Sequence, residues 1–222
     1  MSEVESSVAN AAHPSHALWR QTVTWIAAPI LAVPVAVLLH ESGHHLMHLI
    51  LGFSGSTLHY SSASYALENP FWRELYGGHV HAANALVPFW QAGLSIAAGL
   101  LVSYATIIIC CYLAARRKPS PFVVAIGMAA GLRFLSVIPI IVRWISGRPA
   151  ASGSDEANLA ILTGVPAILF AAAGMAFLIG GWFWLIRSLP GGQRNVAAGS
   201  LMVGLVVGLV AYFQLIGPRV LP

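Results

Sequence analysis

Five long apolar stretches constrain the fold of this chain more than any other feature. They cover roughly residues 23–51, 82–115, 122–145, 159–186 and 196–216. Each reaches the ~20 residues that an α-helix needs to cross the hydrocarbon core of a bilayer. Only 8% of the residues are charged, against roughly a quarter in soluble domains. We therefore expect an all-α, polytopic transmembrane bundle of about five spans, in an integral multi-pass membrane protein whose particular membrane the sequence does not identify.

The first 18 residues differ in composition from the rest. They are polar and contain Glu3 and Glu5 but no Lys or Arg, so they lack the basic region that begins a secretory signal peptide. We predict a disordered polar tail over residues 1–18. Residues 19–222 are predicted to form a single membrane-embedded domain.

The loop after the first apolar stretch, Gly52–Gly78, has no helical periodicity. Its Thr57–Tyr65 portion has some β character. Two interpretations stay open for it, an ordinary surface loop and a short hairpin close to a functional site. A hairpin there would allow an extended substrate to add as a further strand.

The positive charge of the chain does not indicate nucleic-acid binding. The formal net charge is +4, but apart from the run Arg116–Lys118 the basic residues are scattered, whereas nucleic-acid binding needs a basic face. The expected partners are the lipid bilayer and a membrane protein substrate. In the last stretch, Gly204 and Gly208 have the GxxxG spacing of closely packed helices, which predicts a contact within this chain rather than dimerisation; the sequence leaves the oligomeric state open.

The main chemical signal is His40-Glu41-Ser42-Gly43-His44, inside the first apolar stretch. On a helix, His40 and His44 face the same way and can bind one metal ion, while Glu41 reaches a water on that ion. Imidazole nitrogens suit Zn²⁺. The pattern predicts a zinc site, with Glu41 as the general base that activates water for attack on a peptide carbonyl.

The position of this motif strengthens the prediction. Ionisable side chains are expensive within a membrane span and usually serve a function there. Two histidines and a glutamate within one helical turn are therefore hard to explain as packing residues alone.

A catalytic zinc usually has three protein ligands, and the third is predicted to come from the polar turn before the fourth span. If successive spans alternate in direction, the end of the first span and the start of the fourth lie on the same side. This arrangement would bring Asp155 or Glu156 to the level of the two histidines. We favour Asp155 and keep Glu156 as the reserve; capping of the fourth helix is the structural alternative for both.

The segment from His40 to Gly52 (HESGHHLMHLILG) resembles the active-site helix of the site-2 protease family, which are zinc metallopeptidases that cleave substrates within the membrane. The segment from Ser154 to Pro166 (SDEANLAILTGVP) is similar to the segment that supplies the third ligand in divergent members. The resemblance implies that His40, His44 and Asp155 are metal ligands and that Glu41 is the catalytic base.

Two other functions stay open. The His40–His45 segment also resembles the first histidine box of membrane fatty-acid desaturases, which hold two irons with about eight histidines. This chain has nine, but His79 and His81 alone cannot supply two further boxes. The other alternative is a catalytically inactive relative that binds membrane proteins, although the intact Glu41 argues against it.

Three further positions have open roles. Arg133 lies within the third apolar stretch and needs a partner there. Pairing with Asp155 or Glu156, polarising a carbonyl, and extending to a helix end are the alternatives for it. His48 follows the motif on the same helix and could support the metal site or be structural, and His79 or His81 are the next candidates for the third ligand.

Overall fold

The structure is a computed structural model that describes residues 14–116, 119–148 and 153–221. Residues 1–13 of the predicted tail, and Arg117 and Lys118 of the basic run, lie outside the described residues. The predicted fold class is confirmed, since the described chain is an all-α bundle with one small hairpin. Its ten α-helices are α1 Pro14–Ile50, α2 Glu68–Tyr76, α3 Val80–Leu86, α4 Phe89–Arg116, α5 Pro121–Gly131, α6 Phe134–Ile145, α7 Asp155–Thr163, α8 Ala167–Ser188, α9 Arg194–Ala211 and α10 Gly217–Val220.

Five helical segments of the described chain are long and apolar enough to cross a membrane. They are Trp19–Ile50, Phe89–Arg116, Pro121–Ile145, Ala167–Ser188 and Arg194–Val220. The third combines α5 with α6, and the fifth joins α9 to α10 through a π-helical segment, Tyr212–Ile216.

The first helix begins earlier than predicted. Because α1 starts at Pro14, residues 14–18 of the predicted tail are helical. Proline suits the first helical position, where the missing N–H has no partner to lose and the fixed φ is already helical.

Three predicted spans are interrupted. The third stretch is broken between α5 and α6. The second stretch was expected to begin near residue 82, but Val87 is extended and α4 starts only after Pro88, because a residue before proline avoids the helical conformation. The fourth stretch is broken between α7 and α8. There Gly164 has a left-handed φ of 72° and Pro166 precedes the next helix. Helix α7 therefore ends at Gly164, and α8 begins after Pro166.

The loop after α1 forms a hairpin. Strand β1 (Thr57–Leu58) pairs antiparallel with β2 (Ala63–Ser64), with Thr57 opposite Ser64. The turn is held against the end of the last span, where the Tyr212 hydroxyl donates to the Tyr60 carbonyl at 2.7 Å. Of the two interpretations of this loop, the hairpin is correct.

Helix α1 is the centre of the bundle and packs against α4, α5 and α9. Against α9 the approach is close, because a Cβ on Gly208 would lie 3.0 Å from Ile30 Cα and one on Gly204 would meet the Ile26 carbonyl. The GxxxG pair therefore serves a contact within this chain, as predicted. The buried core around it includes Val33, Val124, Met128, Leu201 and Leu205.

Candidate metal centre

The motif on α1 faces the interior of the bundle. His40, Glu41 and His44 are 8%, 9% and 8% exposed, although they lie in a helix whose outer face is apolar. The two imidazole rings are 4.7 Å apart between centroids and nearly perpendicular. Their Nε2 atoms are 3.1 Å apart, so both rings direct the same nitrogen toward one point.

Helix α4 fixes the orientation of both rings. The Nδ1 atom of His40 lies 2.8 Å from the Gly99 carbonyl, and the Nδ1 atom of His44 lies 2.8 Å from the Ser95 carbonyl. A carbonyl only accepts, so each Nδ1 must carry the proton and donate it. Each Nε2 then keeps its lone pair, which is the state that a metal ligand requires.

This contact depends on the absence of a side chain at Gly99. A Cβ there would collide with His44 Nε2 and would lie 2.7 Å from His40 Cε1. Only glycine lets the backbone of α4 come near enough to accept a hydrogen bond from His40.

Asp155, the first residue of α7, completes the group. Its Oδ2 atom lies 3.2 Å from His40 Nε2 and 3.4 Å from His44 Nε2. The three side chains can each offer a ligand atom within 4.8 Å of the others. Oδ2 is buried and forms no hydrogen bond of suitable geometry. Two imidazole nitrogens and a carboxylate oxygen are a donor set that zinc accepts in catalytic sites.

The surroundings keep Asp155 ionised. Burial by itself would raise its pKa, but the adjacent imidazoles of His40 and His44 and the charge of Arg133 outweigh burial and hold the pKa well below its ordinary value. A carboxylate must be deprotonated to bind a metal, so this residue is ready to do so at neutral pH.

Arg133 lies in the same cluster because the third span is interrupted immediately before α6. Its Nη2 atom is 3.0 Å from Asp155 Oδ2 and 3.3 Å from Glu156 Oε1. Pairing with the two acids, one of the alternatives from the sequence, is therefore observed. Glu156 is 1% exposed and binds Arg133, and it does not belong to the group formed by Asp155 and the histidines.

The charges of the cluster accommodate a divalent cation. Asp155, Glu156 and an ionised Glu41 carry three negative charges, and Arg133 carries one positive charge. An ion of charge +2 would bring the sum to zero. Nη1 of Arg133 also contacts His40 Nε2, so the guanidinium and a metal ion can occupy that nitrogen only in turn.

A cavity of about 520 Å³ opens onto this cluster. Glu41 and Ala63 of β2 both border it. Across the cavity, Glu68 begins α2, and burial raises its pKa. The cavity therefore joins the motif, the hairpin and a second carboxyl group that the sequence did not single out.

His48 and His79 do not belong to the ligand group, although His48 borders the same cavity. His48 is buried against the rings of Phe53 and Tyr65 and contacts the Ser56 hydroxyl at 3.2 Å, which is a structural environment. His79 is exposed and hydrogen-bonds to Glu74. Within residues 14–116, 119–148 and 153–221, His40, His44 and Asp155 are the one group of three such side chains close enough to share an ion.

The supporting positions on α4 were missed by sequence reasoning. Ser95, Gly99 and Ser103 recur every four residues, so they share one helix face. The Ser103 hydroxyl lies 3.0 Å from His40 Nδ1. A stripe of small and polar residues in an otherwise apolar span was the signal for them.

No family model, curated protein or solved structure matches this chain.

The role of Gly99 leads to a first prediction. Gly99→Ala should weaken zinc binding by at least about 10- to 100-fold, the usual loss when a group that supports metal ligands is removed, because the new methyl displaces both rings. Zinc titration of the purified protein against a competing chelator measures this. Gly93→Ala is the matched control, since nothing lies within 4 Å of its Cβ position on the same helix. Equal zinc affinity in the two variants would contradict the geometry.

The adjacent acids give a second prediction. Asp155→Ala should weaken zinc binding by more than Gly99→Ala does, because it removes a metal ligand rather than a group that supports one. Glu156→Gln should retain zinc and lower thermal stability, because Arg133 loses its buried counter-charge. Metal content and thermal unfolding of both proteins separate the roles. Zinc lost from Glu156→Gln and kept in Asp155→Ala would reverse the assignment.

Proposed function

We propose that this protein is an intramembrane zinc metallopeptidase that hydrolyses peptide bonds of membrane-spanning or membrane-near proteins. The observation that carries the proposal is the convergence of His40 Nε2, His44 Nε2 and Asp155 Oδ2 on one point beside Glu41. Metal ligands and a carboxylate base side by side are what hydrolysis by an activated water requires.

The outer surface supports a location in the bilayer. Large apolar side chains lie exposed on the outer faces of the spans, among them Leu31 at 63%, Leu101 at 64%, Ile179 at 57% and Val206 at 57%. Apolar surface of this extent marks contact with lipid or a partner rather than with water. The five apolar segments are compatible with a multi-pass membrane protein, and the proposal places the metal centre among them.

A zinc ion held by His40, His44 and Asp155 would supply Lewis acidity and lower the pKa of a bound water toward ~7. Glu41 takes the proton of the attacking water and passes it to the leaving amine. Glu41 lies at the edge of the cavity, which Ala63 of β2 also borders. His40, Glu41 and His44 are only 8–9% exposed, so the charges in the cluster interact more strongly than they would in water.

Arg133 has a second role in this proposal. A metal ion on His40 Nε2 would displace Nη1 from that nitrogen, while the contact of Nη2 with Glu156 keeps the guanidinium beside the ligands. A fixed cation beside a peptide carbonyl stabilises the negative charge that develops on the oxygen during attack. Arg133 therefore polarises the carbonyl and Glu156 positions Arg133.

The hairpin provides a binding surface for the substrate main chain. Strand β2 lies near Glu41 and, within the described part of the chain, pairs on one edge only, with β1. An extended substrate segment that pairs with the other edge of β2 would lie next to Glu41. Main-chain hydrogen bonds of this kind bind a peptide without selecting its sequence.

The base gives a third prediction. Glu41→Gln should bind zinc normally and lower hydrolysis by about 10²- to 10⁴-fold, the usual contribution of general acid–base catalysis. The assay uses single-span peptides with a fluorophore and a quencher, reconstituted with the protein in lipid vesicles. Glu68→Gln is the matched control, because it removes a second carboxylate from the same cavity and should retain most activity.

Two results would contradict the proposal. Residual cleavage near the wild-type rate in Glu41→Gln would remove Glu41 as the base. Zinc-loaded wild-type protein that binds these peptides and cleaves none of them would favour the inactive binding protein.

A further inference from the structure

A second cavity lies on the other side of the metal centre. It has a volume of about 290 Å³ and lies among α1, α5, α9 and the first residues of α6. Its walls are mostly apolar, from Val37, Ala129, Ala130, Leu135, Leu209 and Phe213. This cavity is separate in character from the more polar one that opens beside the hairpin.

The two cavities meet at the catalytic groups. His40, Glu41 and Arg133 border both of them. A peptide bond placed beside Glu41 therefore has space on two sides, one lined by polar groups and the β2 main chain and one lined by apolar side chains. A residue next to that bond would direct its side chain into the apolar cavity.

Small residues create this space. Ala129 and Ala130 are 7% and 4% exposed and form the wall on α5, where the neighbouring core positions of the same helix are filled by Val124 and Met128. A water molecule takes about 30 Å³ in the liquid. The cavity thus holds the volume of about ten waters, enough for a leucine or phenylalanine side chain.

We propose that this cavity binds the large apolar side chain of one of the two residues that flank the scissile bond. The inference rests on the proposed peptidase function and names its substrate class, peptide segments with leucine or a similarly large apolar residue at that position. Alanine would leave the cavity unfilled, and a charged residue would lose its hydration there without a partner.

The polar rim favours a peptide over a lipid tail as the occupant. Besides His40, Glu41 and Arg133, the Ser103 and Ser136 side chains border the cavity. The two hydroxyls already contact His40 Nδ1 and the Arg133 carbonyl. The amide and carbonyl of a peptide residue can add hydrogen bonds to this rim, whereas an acyl chain has no donor or acceptor to offer it.

Substitutions at Leu209 test the proposal in both directions. Leu209→Trp narrows the cavity and Leu209→Ala widens it. Val210→Trp is the matched control, because the neighbouring Val210 is 57% exposed on the outer face of the same helix. Thermal unfolding of the three variants in detergent identifies any that fail to fold, and the two opposite changes keep the test valid if one of them does.

The experiment compares quenched single-span peptides in vesicles that differ only in the residue beside the cleaved bond, with alanine, leucine, phenylalanine or aspartate at that place. The wild type should cleave the leucine peptide with kcat/KM about 10-fold or more above the alanine peptide, as expected when an apolar pocket is filled. Leu209→Trp should remove the advantage of the leucine peptide. Leu209→Ala should shift the preference from the leucine peptide to the phenylalanine peptide. Val210→Trp should leave the wild-type preference unchanged.

Binding of the same peptides to the Glu41→Gln protein, followed by fluorescence anisotropy, separates this inference from the proposed function. A leucine preference that depends on Leu209 in binding, without cleavage by the wild type, supports the cavity and overturns the peptidase. Cleavage with the same preference in all three variants overturns the cavity and leaves the peptidase standing. If the Leu209 variants changed only the amount of lipid that co-purifies with the protein, and not the peptide preference, the cavity would be an acyl-chain site. That result would also overturn the inference.

Discussion

The need to neutralise charge in an apolar surrounding governs this structure. Arg133 Nη2 lies 3.0 Å from Asp155 Oδ2 and 3.3 Å from Glu156 Oε1, between helices whose outer faces are apolar. An isolated charge there would be strongly unfavourable, so each must have a partner. The two imidazoles obey the same rule, because each donates one proton to a carbonyl of α4 and directs its other nitrogen to Asp155. Three separate spans contribute groups to this balance, since the histidines lie on α1, the carbonyls on α4 and Arg133 on the third span.

Interrupted helices supply those partners. In a continuous third span, Arg133 would lie in the middle of a regular helix. The break between α5 and α6 instead places Arg133 at the start of α6, where it faces the motif. The break at Gly164 and Pro166 likewise separates α7 from the spanning helix α8. Asp155 and Glu156 therefore begin a short helix that packs on α4 and α8, and they reach the histidines from the side. Irregular backbone of this kind is tolerated at membrane depth only where protein surrounds it or a cavity adjoins it, and both conditions hold here.

Much of this arrangement could be predicted from the sequence, for identifiable reasons. Hydropathy alone determines the five spans, and the four-residue spacing of His40 and His44 determines a shared face. The proximity of Asp155 followed from the alternation of span direction, which is a property of topology rather than of local sequence. The spacing of Ser95, Gly99 and Ser103 marks one face of α4 in the sequence. That the Ser95 and Gly99 carbonyls accept from the histidines could not be predicted, because this depends on how closely α4 approaches α1. The apolar cavity beside Leu209 was equally hidden, since a cavity depends on the side chains of four elements together.

The central claim is that the group of His40, His44 and Asp155 holds a single zinc ion. Elemental analysis combined with zinc-edge X-ray absorption of the purified wild-type protein tests it most directly. The account predicts one zinc per chain, with nitrogen and oxygen neighbours at about 2.0–2.2 Å and no sulfur. Two irons per chain, or a protein that retains no metal under conditions where its fold is intact, would contradict it.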